Sequence, residues 1–148
     1  MPYIQKAERP RYDGLIELIY LAIPYSSPES YMRWVRWEIA NRVAAKLMSE
    51  GNYIFSPISH THPIKEVSEG KLPGGWEYWE GFDRQFLNVC KKIIVILIPG
   101  WEDSKGVQAE IKIGQELGIP VEYIDYDLSP TYEEIVKVCQ DLGLMQVK

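Results

Sequence analysis

The sequence predicts an α/β protein: a three-layer α/β/α sandwich built on a parallel sheet of four to five strands, Rossmann-like, with flavodoxin-like strand order. Three observations predict it. Short apolar runs such as Lys92–Ile98, K-I-I-V-I-L-I, lack the polar alternation of a half-exposed strand, so helices are expected to cover both faces. Segments with helical periodicity alternate with those runs. The links between them are short, apart from one stretch of histidines, prolines and glycines. A chain of 148 residues with 46% hydrophobic content suits one domain across residues 1–148, with a core that needs neither disulfides nor metal.

After a polar opening segment, Met1 to Gly14, the run Leu15–Ile23 (L-I-E-L-I-Y-L-A-I) reads as the first strand and ends at Pro24. Ser26, Ser27 and Pro28 open a long helix, with Ser27 as its cap and Pro28 in its first turn; the apolar periodicity continues to about Met48, and Gly51 stops it. Asn52–Phe55 is a short second strand. Ser56 to Gly75 reads as a long loop holding both histidines, Pro57, Pro63 and Pro73; loops of that length in compact domains are usually functional or disordered. A helix over Trp76–Cys90 precedes the central strand Lys92–Ile98. A helix capped by Ser104 and carrying Glu110 follows, then a strand at Ile119–Ile124 and a last helix near Thr131–Gly143.

Several function classes are excluded at this level. The formal charge of −5 offers no clustered basic face, so a nucleic-acid polymer is not an expected partner. Cys90 and Cys139 sit in apolar helical patterns and not at metal-ligand spacing, and the N-terminus does not resemble a secretory signal, which together point to the cytoplasm. No apolar run approaches the ~20 residues needed to cross a bilayer, so no membrane partner is expected. The chain has neither G-x-x-x-x-G-K-[ST] nor G-x-G-x-x-G, and no flavin-phosphate loop stands out after the first strand; no cofactor is expected. His60 and His62 stand two apart in S-P-I-S-H-T-H-P, without the third ligand a metal needs. Ser59 and His60 are instead expected to touch substrate or water.

The residues left to carry chemistry gather where ligands bind in parallel sheets, at the carboxyl ends of the strands. Pro24, Tyr25, Ser26 and Ser27 leave the first strand beside a helix N-terminus whose N–H groups suit an anion. The capping serines and Tyr25 packed over the helix are an equally good purely structural reading. Trp101, Asp103, Ser104, Gly106 and Glu110 follow the central strand. Trp76, Tyr78, Trp79 and Phe82 precede Asp83, and such aromatics either fill a core or form a flat slot for a base or sugar. Asp83 and Glu110 thus lie on helices flanking the central strand. Paired carboxylates can divide labour, one attacking an anomeric carbon while the other group manages protons or holds the sugar. The structural alternative leaves Glu110 on a solvated face near a helix start, where the dipole favours it.

The ordered set I-Y-L-A-I-P-Y-S, F-S-P-I-S-H, W-E-Y-W-x-x-F-D and G-W-x-x-S-x-G-x-x-x-E, followed by G-I-P-V, resembles a DUF1937-like family of small bacterial and phage proteins. That family looks like a branch of the nucleoside 2-deoxyribosyltransferase superfamily. The resemblance covers roughly Leu18 to Val121. It implies cleavage or exchange of the N-glycosidic bond of a nucleoside or nucleoside 5'-monophosphate, by an N-glycosidase or deoxyribosyltransferase working without cofactor, commonly as a homo-oligomer. Glu110 matches the nucleophile, Asp83 the aspartate that holds the sugar or aids proton transfer, Tyr20 the strand-end tyrosine, and Gly106 the glycine four before the nucleophile. Ser104 stands where an aspartate often contacts the base, and Lys91 where an acid often starts the central strand. Those departures fit the rival expectation, a non-catalytic nucleotide-binding or sensing module on the same fold.

Overall fold

The computed structural model describes residues 17–143; the opening segment and the first residues of the expected first strand, Leu15 and Ile16, lie outside the described residues. The elements in chain order are β1 (Leu18–Ala22), α1 (Ser30–Ser49), β2 (Tyr53–Phe55), α2 (Pro57–Glu66), α3 (Trp76–Leu87), β3 (Lys92–Leu97), α4 (Lys105–Leu117), β4 (Val121–Asp125) and α5 (Ser129–Asp141). The four strands form one parallel sheet in the order β2-β1-β3-β4. The chain moves outward from β1 to β2, then crosses back over β1 to place β3 on its other side. The crevice of such a sheet opens at this reversal, beyond the carboxyl ends of β1 and β3.

Period-two alternation sorts the strand residues onto two cores. Ile19, Leu21 and Ile23 join Ile94 and Ile96 on one face, against Val35, Ile39, Ala40 and Val43 of α1 and residues of α5. Tyr20 and Ala22 join Ile93 and Val95 on the other, against Leu87 of α3 and Val107, Ile111 and Ile113 of α4. Tyr20 therefore faces the two helices that carry Asp83 and Glu110. α4 lies unusually close to the sheet at Gly114, where an added Cβ would come within 2.6 Å of Ile93 Cδ1. Among the described residues no helix is long and apolar enough to cross a membrane.

Two expectations are corrected. The segment expected to be a loop from Ser56 to Gly75 begins with a helix, Pro57–Glu66, and only its remainder connects irregularly to α3. Pro57 sits in the first turn, where its missing N–H costs nothing. Pro63 inside the helix leaves the Ser59 carbonyl without its N–H donor, and the Trp37 indole N–H donates to that carbonyl from α1 at 3.4 Å. α1, in turn, starts two residues later than Pro28. Its N-cap is Glu29, with no side-chain cap, and the Ser27 hydroxyl accepts from the Glu29 N–H at 3.2 Å, bracing the entry turn.

Ser104 does cap α4, its hydroxyl accepting from the Val107 N–H at 3.2 Å. Ser104→Ala is expected to cost about 1 kcal/mol. In urea denaturation this appears as a lower midpoint at unchanged slope.

Candidate functional site

A cleft of about 730 Å³ opens at the strand reversal. The loop after β1 supplies Pro24, Tyr25, Ser26 and Ser27 to its lining, and the start of α3 supplies Trp76, Trp79 and Asp83. Gly100, Asp103, Ser104, Gly106 and Glu110 line it from the β3–α4 side.

Glu110 and Asp83 are nearly closed off from solvent, at 6% and 9% exposure. Their positions follow from helix geometry. Asp83 shares the inward face of α3 with Leu87 one turn on, and Glu110 lies on the face of α4 that buries Val107, Ile111 and Gly114. The solvated-face alternative for Glu110 is thereby overturned. Gly106 lies over Glu110, where a Cβ would meet Glu110 Oε1 and the Trp76 ring at an ordinary contact distance of 3.7 Å. Tyr20 lies beneath the pair, fully buried and outside the cleft lining.

Burial dominates the electrostatics. It pushes Asp83 up to about 7, with the neighbouring Tyr20 hydroxyl pulling the other way. It pushes Glu110 up to about 8, again opposed by Tyr20 and reinforced by the Asp83 charge. Tyr20 itself is raised well above its usual value, by burial first and then by the two carboxylates. Its hydroxyl is close enough to influence both carboxyls, although no hydrogen bond of full geometry joins them. Groups this strongly coupled titrate as a unit, and around neutrality the pair holds a proton between them.

Not every expected residue reaches the cleft. Ser59 and His60 line a separate groove with Ala44, Met48 and Phe55, and His60 is exposed with its ring stacked 6.1 Å from Phe82. Two residues along a helix turn the side chain through about 200°. α2 therefore sends His62, not His60, into the cleft wall. His62 is 1% exposed, with Nδ1 2.5 Å from the Tyr25 hydroxyl and its ring packed against Trp34 and Trp37. Burial lowers the His62 pKa and raises that of Tyr25 to about 12. Trp101 is also displaced: it packs on Tyr123, 5.9 Å between ring centres, and forms no part of the cleft wall. An indole after a strand is equally able to turn toward the sheet edge, and the packing with β4 decides it.

The cleft lining also includes cations that had no counterpart among the expectations: Arg33 and Arg36 of α1, Lys65 of α2, and Lys105 at the start of α4, which pairs with Glu77 at 3.7 Å. Arg33 Nη1 donates to the Ser27 carbonyl at 2.5 Å, and Arg36 Nη1 to the Ser26 carbonyl at 2.7 Å. The legible signal was the spacing, two arginines one turn apart just after the first strand's exit. Among the described residues no group of three or more His, Cys, Asp or Glu is arranged to hold a metal.

The fold and the site together define a class, a parallel-sheet α/β protein whose strand-reversal cleft has a buried carboxyl pair at its floor and arginines in its wall. Residues 17–125 match the family model described as a domain of unknown function, DUF1937, and the chain belongs to that family. No curated protein matches it.

The raised carboxyls carry a stability consequence. Unfolded, they titrate near 3.8 and 4.5; folded, near 7 and 8. A raised folded pKa means stability fully present below the unfolded value and lost as pH rises through the folded one, here from about pH 4 to pH 8. Glu110→Gln removes one of these groups. It is expected to unfold at higher urea than wild type at pH 8.5, by up to roughly 5 kcal/mol, with the advantage vanishing toward pH 4.

Proposed function

We propose that this cleft cleaves or exchanges the N-glycosidic bond of a nucleoside or nucleoside 5'-monophosphate, through a glycosyl intermediate on Glu110. The observation that carries the reading is the buried Glu110–Asp83 pair at the cleft floor, with the Tyr20 hydroxyl beneath it. The resemblance of the chain's motifs to those of the nucleoside 2-deoxyribosyltransferase superfamily supports the same assignment.

The chemistry follows from the environment. A Glu110 carboxylate oxygen attacks the anomeric carbon as the C–N bond breaks, and the base leaves with the bonding pair. Near neutrality the pair retains one proton, and in the form that reacts Glu110 is ionised while Asp83 holds that proton, ready to protonate the departing base or hold a sugar hydroxyl. Trp76 and Trp79 offer flat walls for the base. Water then releases the sugar from Glu110 in a hydrolase; a second base does so in a transferase. Ser104 presents no carboxylate to the base, and its hydroxyl is engaged in capping α4.

Chromatography of free base, after incubation with ribo- and deoxynucleosides and their 5'-monophosphates, tests this directly. Wild type is expected to release base from at least one substrate, and Glu110→Ala from none. Binding of a nucleotide with no base released from any would instead support a sensing module. Attack needs Glu110 ionised while Asp83 keeps the pair's second proton, so the rate should peak between about pH 7 and 8 and fall about 100-fold on the acid limb by pH 5. Because Tyr20 lowers both carboxyls, Tyr20→Phe should move that limb to higher pH.

A further inference from the structure

The floor of the cleft is acidic, but its wall on the α1 and α2 side is cationic, with Arg33, Arg36 and Lys65. None of these three takes part in an ion pair among the described residues; the acids there pair with Arg42, Arg84, Lys92 and Lys105. Each arginine gives one terminal nitrogen to a loop carbonyl, Ser27 or Ser26, and that neutral acceptor does not balance the charge. The Nε of both is shut off from solvent with no hydrogen-bond partner among the described residues. Arg36 also reaches the far side, its Nη2 3.5 Å from where a Cβ on Gly100 would stand, so it spans from α1 to the turn after β3.

Guanidiniums held partly out of water without a counter-charge are costly, and an anion entering between them offsets that cost. One turn apart on α1, the two lie on a common face. Their planar forks match phosphate oxygens, and anchoring each to the loop reduces the freedom lost on binding. The Ser26 and Ser27 hydroxyl groups belong to the same wall.

We infer that Arg33 and Arg36 are a phosphate-reading pair, which makes phosphorylated nucleosides the preferred ligands of this cleft over free nucleosides. For the reaction, this rests on the N-glycosidic reading; the anion site stands apart from it. The arginines act as specificity-determining residues that fasten the phosphoryl group at one wall while the sugar lies over Glu110 and Asp83. Lys65, whose Nζ lies 5.8 Å from the centre of the Tyr25 ring, adds a third positive charge beside them.

Calorimetric titration of wild type, Arg33→Met, Arg36→Met and Arg36→Lys with inorganic phosphate, four nucleoside 5'-monophosphates and the matching nucleosides tests the pair. In wild type at least one nucleotide is expected to bind roughly 100-fold tighter than its nucleoside. That ratio should fall to about tenfold or less in each methionine variant. Arg36→Lys keeps the charge but cannot serve the Ser26 carbonyl and a phosphate together, and should give an intermediate ratio. It also decides the matter if a methionine variant fails to fold. Inorganic phosphate alone should bind wild type and lose affinity in the same variants.

Equal affinity for nucleotide and nucleoside in wild type overturns the proposal, as does a ratio unchanged by the arginine substitutions. Base release measured on the same substrates separates the two readings. Selective nucleotide binding with no release leaves the anion pair standing and removes the glycosidic chemistry. Release at equal rates from nucleoside and nucleotide does the reverse.

Discussion

The rest of the site depends on one constraint: two carboxyl groups are buried side by side over a buried tyrosine hydroxyl. Ionised carboxylates out of water are unfavourable by several kcal/mol each unless paired or hydrogen-bonded. Among the described residues no cation pairs with them, and the protein accommodates the pair by letting the carboxyls keep protons to near neutral pH. Such an arrangement weakens the fold at alkaline pH. It persists because the scaffold around it is over-determined, with Tyr20, Leu87, Val95 and Val107 closed off completely on the same face of the sheet.

The scaffold also explains why these groups meet. Tyr20 comes from β1, Asp83 from α3 and Glu110 from α4, elements distant in sequence that the strand order 2-1-3-4 brings to one place. β1 and β3 are neighbours only because the chain crosses back after β2. The helix following each of β1 and β3 begins at the sheet's carboxyl edge, and the cleft lies between those starts. Its two sides differ in charge, since α1 contributes two arginines, whereas α3 and α4 contribute Glu77, Asp83 and Glu110, with Lys105 paired to Glu77. The same desolvation that holds the carboxyl pKa values near neutrality places them where proton transfer is most efficient at physiological pH.

α2 shows how a local rule misleads. Pro57 and Pro63 within seven residues argue for a loop, yet each is individually accommodated. One occupies the first helical turn, and the other leaves a carbonyl that Trp37 of α1 satisfies. That partner is twenty-two positions away from Ser59 and cannot be read from the prolines. Helix in place of loop then rotates His60 outward and His62 inward, into an aromatic enclosure of Tyr25, Trp34 and Trp37. That rotation is why Ser59 and His60 line a separate groove and not the cleft.

By itself the sequence determined the alternation of strands and helices, the parallel sheet, the Ser104 cap and the placement of Asp83 and Glu110 beside the central strand. Those features follow from apolar periodicity, turn residues and motif spacing, all of which act over a few neighbouring positions. Tertiary structure alone decided that both carboxyls are buried, that Tyr20 lies under them, that Trp101 turns away to Tyr123, and that two arginines of α1 enter the cleft without an acidic partner among the described residues. Burial and charge pairing depend on what lies across the crevice, and the residues facing one another there come from elements dozens of positions apart. Local patterning carries no information about that distance.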